Sequence, residues 1–117
     1  MSLRSAFLIA ALLAAPEAHA HAFLVKSNPA VGSMTAHPGT LSLQFSEAVE
    51  LSFSGADVLN SAGQAIMIQQ FRFADDGHKV LVAALPMLTP GAYHVRWHVL
   101  SADTHRTEGD FTFTVKP

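Results

Sequence analysis

Apolar and polar residues alternate most regularly near the end of the chain. Tyr93, Val95, Trp97 and Val99 fall on one face of one stretch, and Phe111, Phe113 and Val115 on one face of the next. A period of two marks half-buried strands, so residues 93–115 read as a β-hairpin whose tip is a polar segment holding Asp103, Thr104 and His105. Weaker versions of the pattern recur upstream. Ala22 to Ser27 reads as a strand ended by Asn28-Pro29 and Gly32, and Thr40 to Phe45 places Leu41, Leu43 and Phe45 on one face. Val49 to Phe53 resumes that pattern after Ser46-Glu47. Ala56 to Asn60 and Ala65 to Gln70 flank a turn at Ser61-Ala62-Gly63, and Lys79 to Leu85 follows Asp75-Asp76-Gly77. No stretch has helical periodicity. Short strands about ten residues apart with turn signals between them predict an all-β domain, an antiparallel Greek-key β-sandwich or small barrel. Tyr93, just after Pro90-Gly91 at the start of a late strand, resembles a tyrosine corner, which predicts a bond from its hydroxyl to upstream backbone.

Residues 1–20 break the pattern and read as a secretory signal peptide. Arg4 supplies the positive start, Ala6 to Ala15 an apolar run, and Ala18-His19-Ala20 a small-x-small cleavage site. The apolar run is half of the roughly twenty residues that span a bilayer, so no membrane span is expected in the mature chain. Cleavage would leave residues 21–117 as a single exported β domain beginning at His21, with an amount of chain suited to one core. Seven of the eight Phe lie in this part and supply that core. Cysteine is absent. Since small exported domains are commonly stapled by disulfides, sheet packing, with a bound metal if there is one, must take that role. Net charge is −2 with or without the leader, and no Lys/Arg run suggests nucleic acid.

Candidate chemistry lies at the two ends of the mature chain. In extended backbone residues i and i+2 point to one side, so Asp103 and His105 can present a carboxylate and an imidazole together. By itself such a pair is usually an Asx turn beside a solvated histidine. His21 changes the weighting: cleavage before it exposes an α-amine next to the ring Nδ1, and the two can chelate one ion as a histidine brace. With Asp103 and His105 this makes a three-nitrogen, one-oxygen set. Such donors in tetragonal geometry suit Cu(II), with Zn(II) as runner-up. The peptide-type amino-terminal copper motif needs His at the third mature position, which Phe23 occupies. His94 and His98 share a strand face but stand some ~13 Å apart at about 3.3 Å per residue, too far for one ion, and read as surface residues. His37 and His78 fall in turns. Met34, Met67 and Met87 are isolated and read as core or gap-filling residues rather than soft ligands.

Four segments together resemble the CopC family of periplasmic copper-binding proteins. They are His21 to Ala30 (H-A-F-L-V-K-S-N-P-A), Phe45 to Glu50 (F-S-E-A-V-E), Leu88 to Trp97 (L-T-P-G-A-Y-H-V-R-W), and Ser101 to His105 (S-A-D-T-H). The resemblance covers essentially the whole mature domain. It implies a Greek-key β-sandwich or barrel of immunoglobulin-like or cupredoxin-like appearance. It implies one Cu(II) per chain bound by His21, Asp103 and His105, with Glu47 near the metal as a group that orients ligands. It also implies a periplasmic monomer that carries or buffers copper for an inner-membrane transporter of the CopD type. Some members add a Cu(I) site on a Met-rich loop, and this chain has no M-x-M run, so a Cu(II)-only type is expected. Two other functions compete: a histidine-brace copper monooxygenase, and a metal-free immunoglobulin-like structural domain. Against the enzyme stand the short chain, the lack of long loops for a flat substrate face, and Asp103 filling a coordination position.

Overall fold

The alternation in the last third of the chain becomes two ten-residue antiparallel strands, β8 (Gly91–Leu100) and β9 (Arg106–Val115), paired without a break from Gly91↔Val115 to Leu100↔Arg106. The structure is a computed structural model that describes residues 21–117; the expected signal segment lies outside the described residues. Before this hairpin come β1 (Leu24–Asn28), β2 (Met34–Thr35), β3 (Thr40–Phe45), β4 (Gly55–Asn60), β5 (Ala65–Ile66), β6 (Arg72–Phe73) and β7 (Val80–Ala84). One sheet runs β1-β3-β7-β6 and the other β2-β9-β8-β4-β5. The chain passes back and forth between the two, which makes the expected Greek-key β-sandwich. Every pairing is antiparallel except β2 with β9.

The inward positions of the two sheets close on one core. Leu41, Leu43 and Phe45 of β3 and Leu81 of β7 face Val58, Val95, Val99, Phe111 and Phe113, all nearly or fully buried. Trp97 meets Phe45 edge-on at 5.2 Å between centroids, and Tyr93 stacks on Phe113 at 5.6 Å. Each such side chain contributes roughly 1.5–3 kcal/mol on burial, so this core can hold the fold without a disulfide. Gly109, opposite Trp97, is there for room: a Cβ at that position would lie 2.6 Å from Trp97 Cζ2. The tyrosine corner forms as expected, with the Tyr93 hydroxyl donating to the Thr89 carbonyl at 2.7 Å. At the turn before β7, the Asp75 carboxylate accepts the amides of Lys79 and Val80 at 3.0–3.1 Å.

Several elements differ from the sequence expectation. Val49 to Phe53 does not continue as a strand. Val49 makes a lone bridge to Ser101, and residues Leu51–Phe53 form a 3₁₀ turn, because Ser54 Oγ takes the Leu100 amide that a longer strand would have used. Only Ala65–Ile66 of the expected strand 65–70 joins a sheet. The chain then crosses over, and the Gln69 amide bonds the Ala84 carbonyl of the opposite sheet. The short strands β2 and β6 carry no alternation long enough to read. Met34, Met67 and Met87 are not core residues: they are 63, 88 and 91% exposed, Met34 in the two-residue β2 and the other two just past the ends of β5 and β7.

Candidate metal centre

The tip of the β8–β9 hairpin is a tight turn built on Ser101. The Ser101 amide bonds the His105 carbonyl at 2.9 Å, and the Thr104 amide bonds the Ser101 carbonyl at 2.8 Å. Thr104 takes a left-handed φ of 72° to close the loop. Asp103 and His105 are thus brought together by a reversed turn, not by the extended backbone that the i, i+2 argument assumes. The Ser101 side chain is buried and organises the inside of the loop. Its Oγ bonds Asp103 Oδ1, lies 3.1 Å from the His105 carbonyl oxygen, and accepts the His105 amide at 3.2 Å. Serine at this position carried no signal separate from ordinary turn chemistry.

His105 Nδ1 stands 3.1 Å from Asp103 Oδ1. An ionised carboxylate only accepts hydrogen bonds, so Nδ1 carries the proton and Nε2 keeps the lone pair able to face an ion. Both bonds to Asp103 fall on Oδ1, which leaves Oδ2 as the oxygen able to turn to a metal. The Ser101 hydroxyl, and after it the His105 ring, hold the Asp103 carboxyl below its ordinary pKa.

His21 reaches this loop from the other end of the chain. Its ring lies edge-on to the His105 ring with centroids 4.8 Å apart. With metal–nitrogen bonds of roughly 2.0 Å, two imidazoles sharing one ion stand about this far apart. The approach is set by the buried neighbour Ala22 and by three bonds. The Phe23 amide donates to Ser46 Oγ at 3.0 Å, the Ser46 amide to the Phe23 carbonyl at 2.9 Å, and the Thr107 hydroxyl to the Ala22 carbonyl at 2.6 Å. A register shift between Leu24 and Lys26 bends β1 just beyond, a device often used to re-aim the chain beside a site.

Among the described residues, no three His, Asp or Glu side chains already converge on one point. What is assembled is a chain of contacts, His21 to His105 to Asp103, with one carboxylate oxygen, Oδ1, engaged by the Nδ1 proton and the Ser101 hydroxyl. Glu47 is exposed and lines a cleft of about 140 Å³ with Ala48, Ser101, Ala102 and Asp103. That is below the roughly 300–1,000 Å³ of pockets enclosing organic ligands. A roomier cleft of about 550 Å³ shares no lining residue with this one, and of the ionisable side chains only His98 lines it. His94 and His98, expected at the surface, are both half-buried, His94 standing 3.1 Å from Asp110 and His98 lining that cleft. His37 and His78 sit in turns at left-handed φ, and His78 also stacks on Phe73 at 4.2 Å.

The structure is a small two-sheet Greek-key sandwich with two histidines and a carboxylate gathered at one pole, groups able to donate to a metal ion. Residues 24–116 match the CopC domain. The chain is 40% identical to Protein YobA of Escherichia coli K12 over 89% of its length and 86% of that protein. It is 38% identical to copper resistance protein C of Pseudomonas syringae pv. tomato, covering 92% of this chain and 90% of that one. Among solved structures, CopC from Methylosinus trichosporium OB3b superposes with a TM-score of 0.77 at 34% identity, over 83% of this chain and 95% of that chain. PcoC, a methionine-rich copper resistance protein from Escherichia coli, gives 0.76 at 33% identity, over 83% and 100%. The chain belongs to the CopC family.

Proposed function

We propose that residues 21–117, released from a signal peptide, form a periplasmic monomer that binds one Cu(II) and carries or buffers it without catalysing a reaction. The observation that carries this reading is the meeting of the His21 and His105 rings at 4.8 Å, which brings two imidazoles from opposite ends of the domain within reach of one ion beside Asp103. In this reading the amine and Nδ1 of His21 chelate the ion, His105 offers Nε2, and Asp103 turns Oδ2 inward. Glu47, across the small cleft from Asp103, orients the waters or ligands around the ion. Nitrogen-rich borderline donors favour Cu(II) over Zn(II). The scattered, exposed methionines build no thioether cluster, so Cu(I) is not the expected cargo.

The partner is a copper transporter in the inner membrane, of the CopD type. A similarity to the copper transport protein CutJ of Bacillus subtilis supports this, because it spans 82% of this chain yet 18% of CutJ. A domain like this one is there part of a longer copper transport protein. No helix among the described residues is long and apolar enough to cross a membrane. A monooxygenase would need a broad substrate face beside the metal, and the small cleft at Glu47 and Asp103 favours a carrier.

The test is a Cu(II) titration of two chains, one starting at His21 and one with a single glycine before it. The extra residue turns the amine into an amide, and affinity should fall by at least about a hundredfold if the brace is the site. Equal affinities would remove His21's amine from the ligand set. Oxygen consumption with a reductant should not exceed that of the same amount of free copper.

A further inference from the structure

Thr107 is out of place in its own strand. The inward positions of β9 read Thr107, Gly109, Phe111, Phe113 and Val115, and Thr107 pairs with buried Val99, so a hydroxyl sits where the alternation calls for an apolar group. That hydroxyl donates to the Ala22 carbonyl at 2.6 Å, across 85 residues of sequence. Ala22 is fully buried, and a buried carbonyl is costly to leave without a donor.

The other holds on this segment have a different origin. Ser46 grips Phe23 through two bonds, its hydroxyl also stands 3.5 Å from the His21 carbonyl oxygen, and it follows β3, the strand that pairs with β1. Those bonds tie the start of the chain to its own sheet. The Thr107 bond crosses to the opposite sheet, the one whose hairpin tip carries Asp103 and His105. Thr107 lies two residues beyond His105 at the start of a continuous ten-residue strand, and its acceptor lies in the residue next to His21. One hydroxyl thus links the backbone on the two sides of the candidate site.

We propose that Thr107 is a positioning residue for metal binding, its hydroxyl setting residue 21 in register with His105 across the two sheets. The inference rests on the reading of His21 and His105 as ligands. A chelate assembled from two distant segments binds tightly only when both are held in place before the ion arrives, and outer groups that hold ligands are typically worth about 10–100-fold in metal affinity. Without the hydroxyl, Ser46 still tethers the segment to β3, but the bond from β9 to the backbone beside His21 is gone.

The experiment compares Thr107→Val, which keeps the shape and removes the hydroxyl, with Thr107→Ser, which keeps the hydroxyl, both as chains starting at His21. Cu(II) affinity is measured by competition, and the paramagnetic spectrum is recorded on the fully loaded one-to-one complex. The valine variant should bind at least about tenfold more weakly and show an altered spectrum even when saturated, while the serine variant returns both to the wild-type values. A general loss of stability would lower the apo unfolding midpoint but leave the saturated spectrum unchanged, and that result overturns the proposal. Wild-type affinity and spectrum in the valine variant overturn it too, as does a serine variant no better than valine. Should Thr107→Val not fold, Thr107→Ala is read by the same criteria. A wild-type chain that binds no Cu(II) would instead sink the ligand reading beneath it.

Discussion

Two donors meet on one oxygen at Asp103. The buried Ser101 hydroxyl and the Nδ1 proton of His105 both point at Oδ1, and together they favour the charged carboxylate and lower its pKa. A group with a depressed folded pKa stays ionised as acid is added until the pH reaches that lower value, and only there does its contribution fade. The carboxylate should therefore be charged at both pH 7 and pH 5, while the nitrogen donors increasingly compete with protons for copper over the same interval. Asp103→Asn, which keeps the shape and removes the charge, should lower Cu(II) affinity by about tenfold or more, and by the same factor at both pH values. Titrations of wild type and variant at pH 5 and pH 7 check this. A ratio that shrinks toward one at pH 5 would mean that the wild-type carboxylate is already protonated there.

At the scale of elements, the hairpin β8–β9 has two parts: its inward face supplies much of the core, and its tip carries the candidate ligands Asp103 and His105. Gly109 is where the core requirement is sharpest, since an added Cβ would lie 2.6 Å from Trp97 Cζ2 and 2.9 Å from Cε2. Gly109 is not at positive φ, so Gly109→Ala isolates the steric cost, which for overpacking is about 1–3 kcal/mol. For a domain of this size that is a fall of several degrees in the unfolding midpoint, at roughly 4–8 °C per kcal/mol. An unchanged midpoint would show that the indole can move aside. The hairpin was legible in the sequence because ten-residue strands repeat the alternation often enough to be seen. Tyr93 was legible as a corner because Pro90-Gly91 precedes it. Residues 49–53 and 65–70 were not, because their fate is decided by tertiary bonds, the Leu100 amide to Ser54 Oγ and the Gln69 amide to the Ala84 carbonyl. The candidate ligands were legible as residue types at the ends of the domain. Ser46 and Thr107 were not, because their hydroxyls show their use only when partners 23 and 85 residues away are in place, and Ser101 was not, because its local bonds to Asp103 and His105 look like ordinary turn chemistry.

At the scale of the whole molecule, His21 and His105 are brought together only in the folded state: His21 is anchored to the β1–β3 sheet through Ser46, and His105 belongs to the hairpin of the other sheet. An ion bound by both side chains ties the two sheets, and because the unfolded chain has no such site, binding adds RT ln(1 + [L]/Kd) to stability, about 2.7 kcal/mol at a hundredfold excess over Kd. At roughly 4–8 °C per kcal/mol for a domain of this size, Cu(II) at that excess should raise the unfolding midpoint of the chain starting at His21 by more than ten degrees near pH 8. Nitrogen ligands must be unprotonated to bind metal, so protons compete with copper and the increment should shrink steadily as the pH falls from 8 to 5. The apo protein lacks this component. Thermal unfolding with and without copper across that range measures the increment directly, and a glycine added before His21 should remove most of it at every pH. A copper-induced rise that stays constant from pH 8 to pH 5 would mean that oxygen donors hold the ion, and that the pole formed by His21 and His105 is not where copper binds.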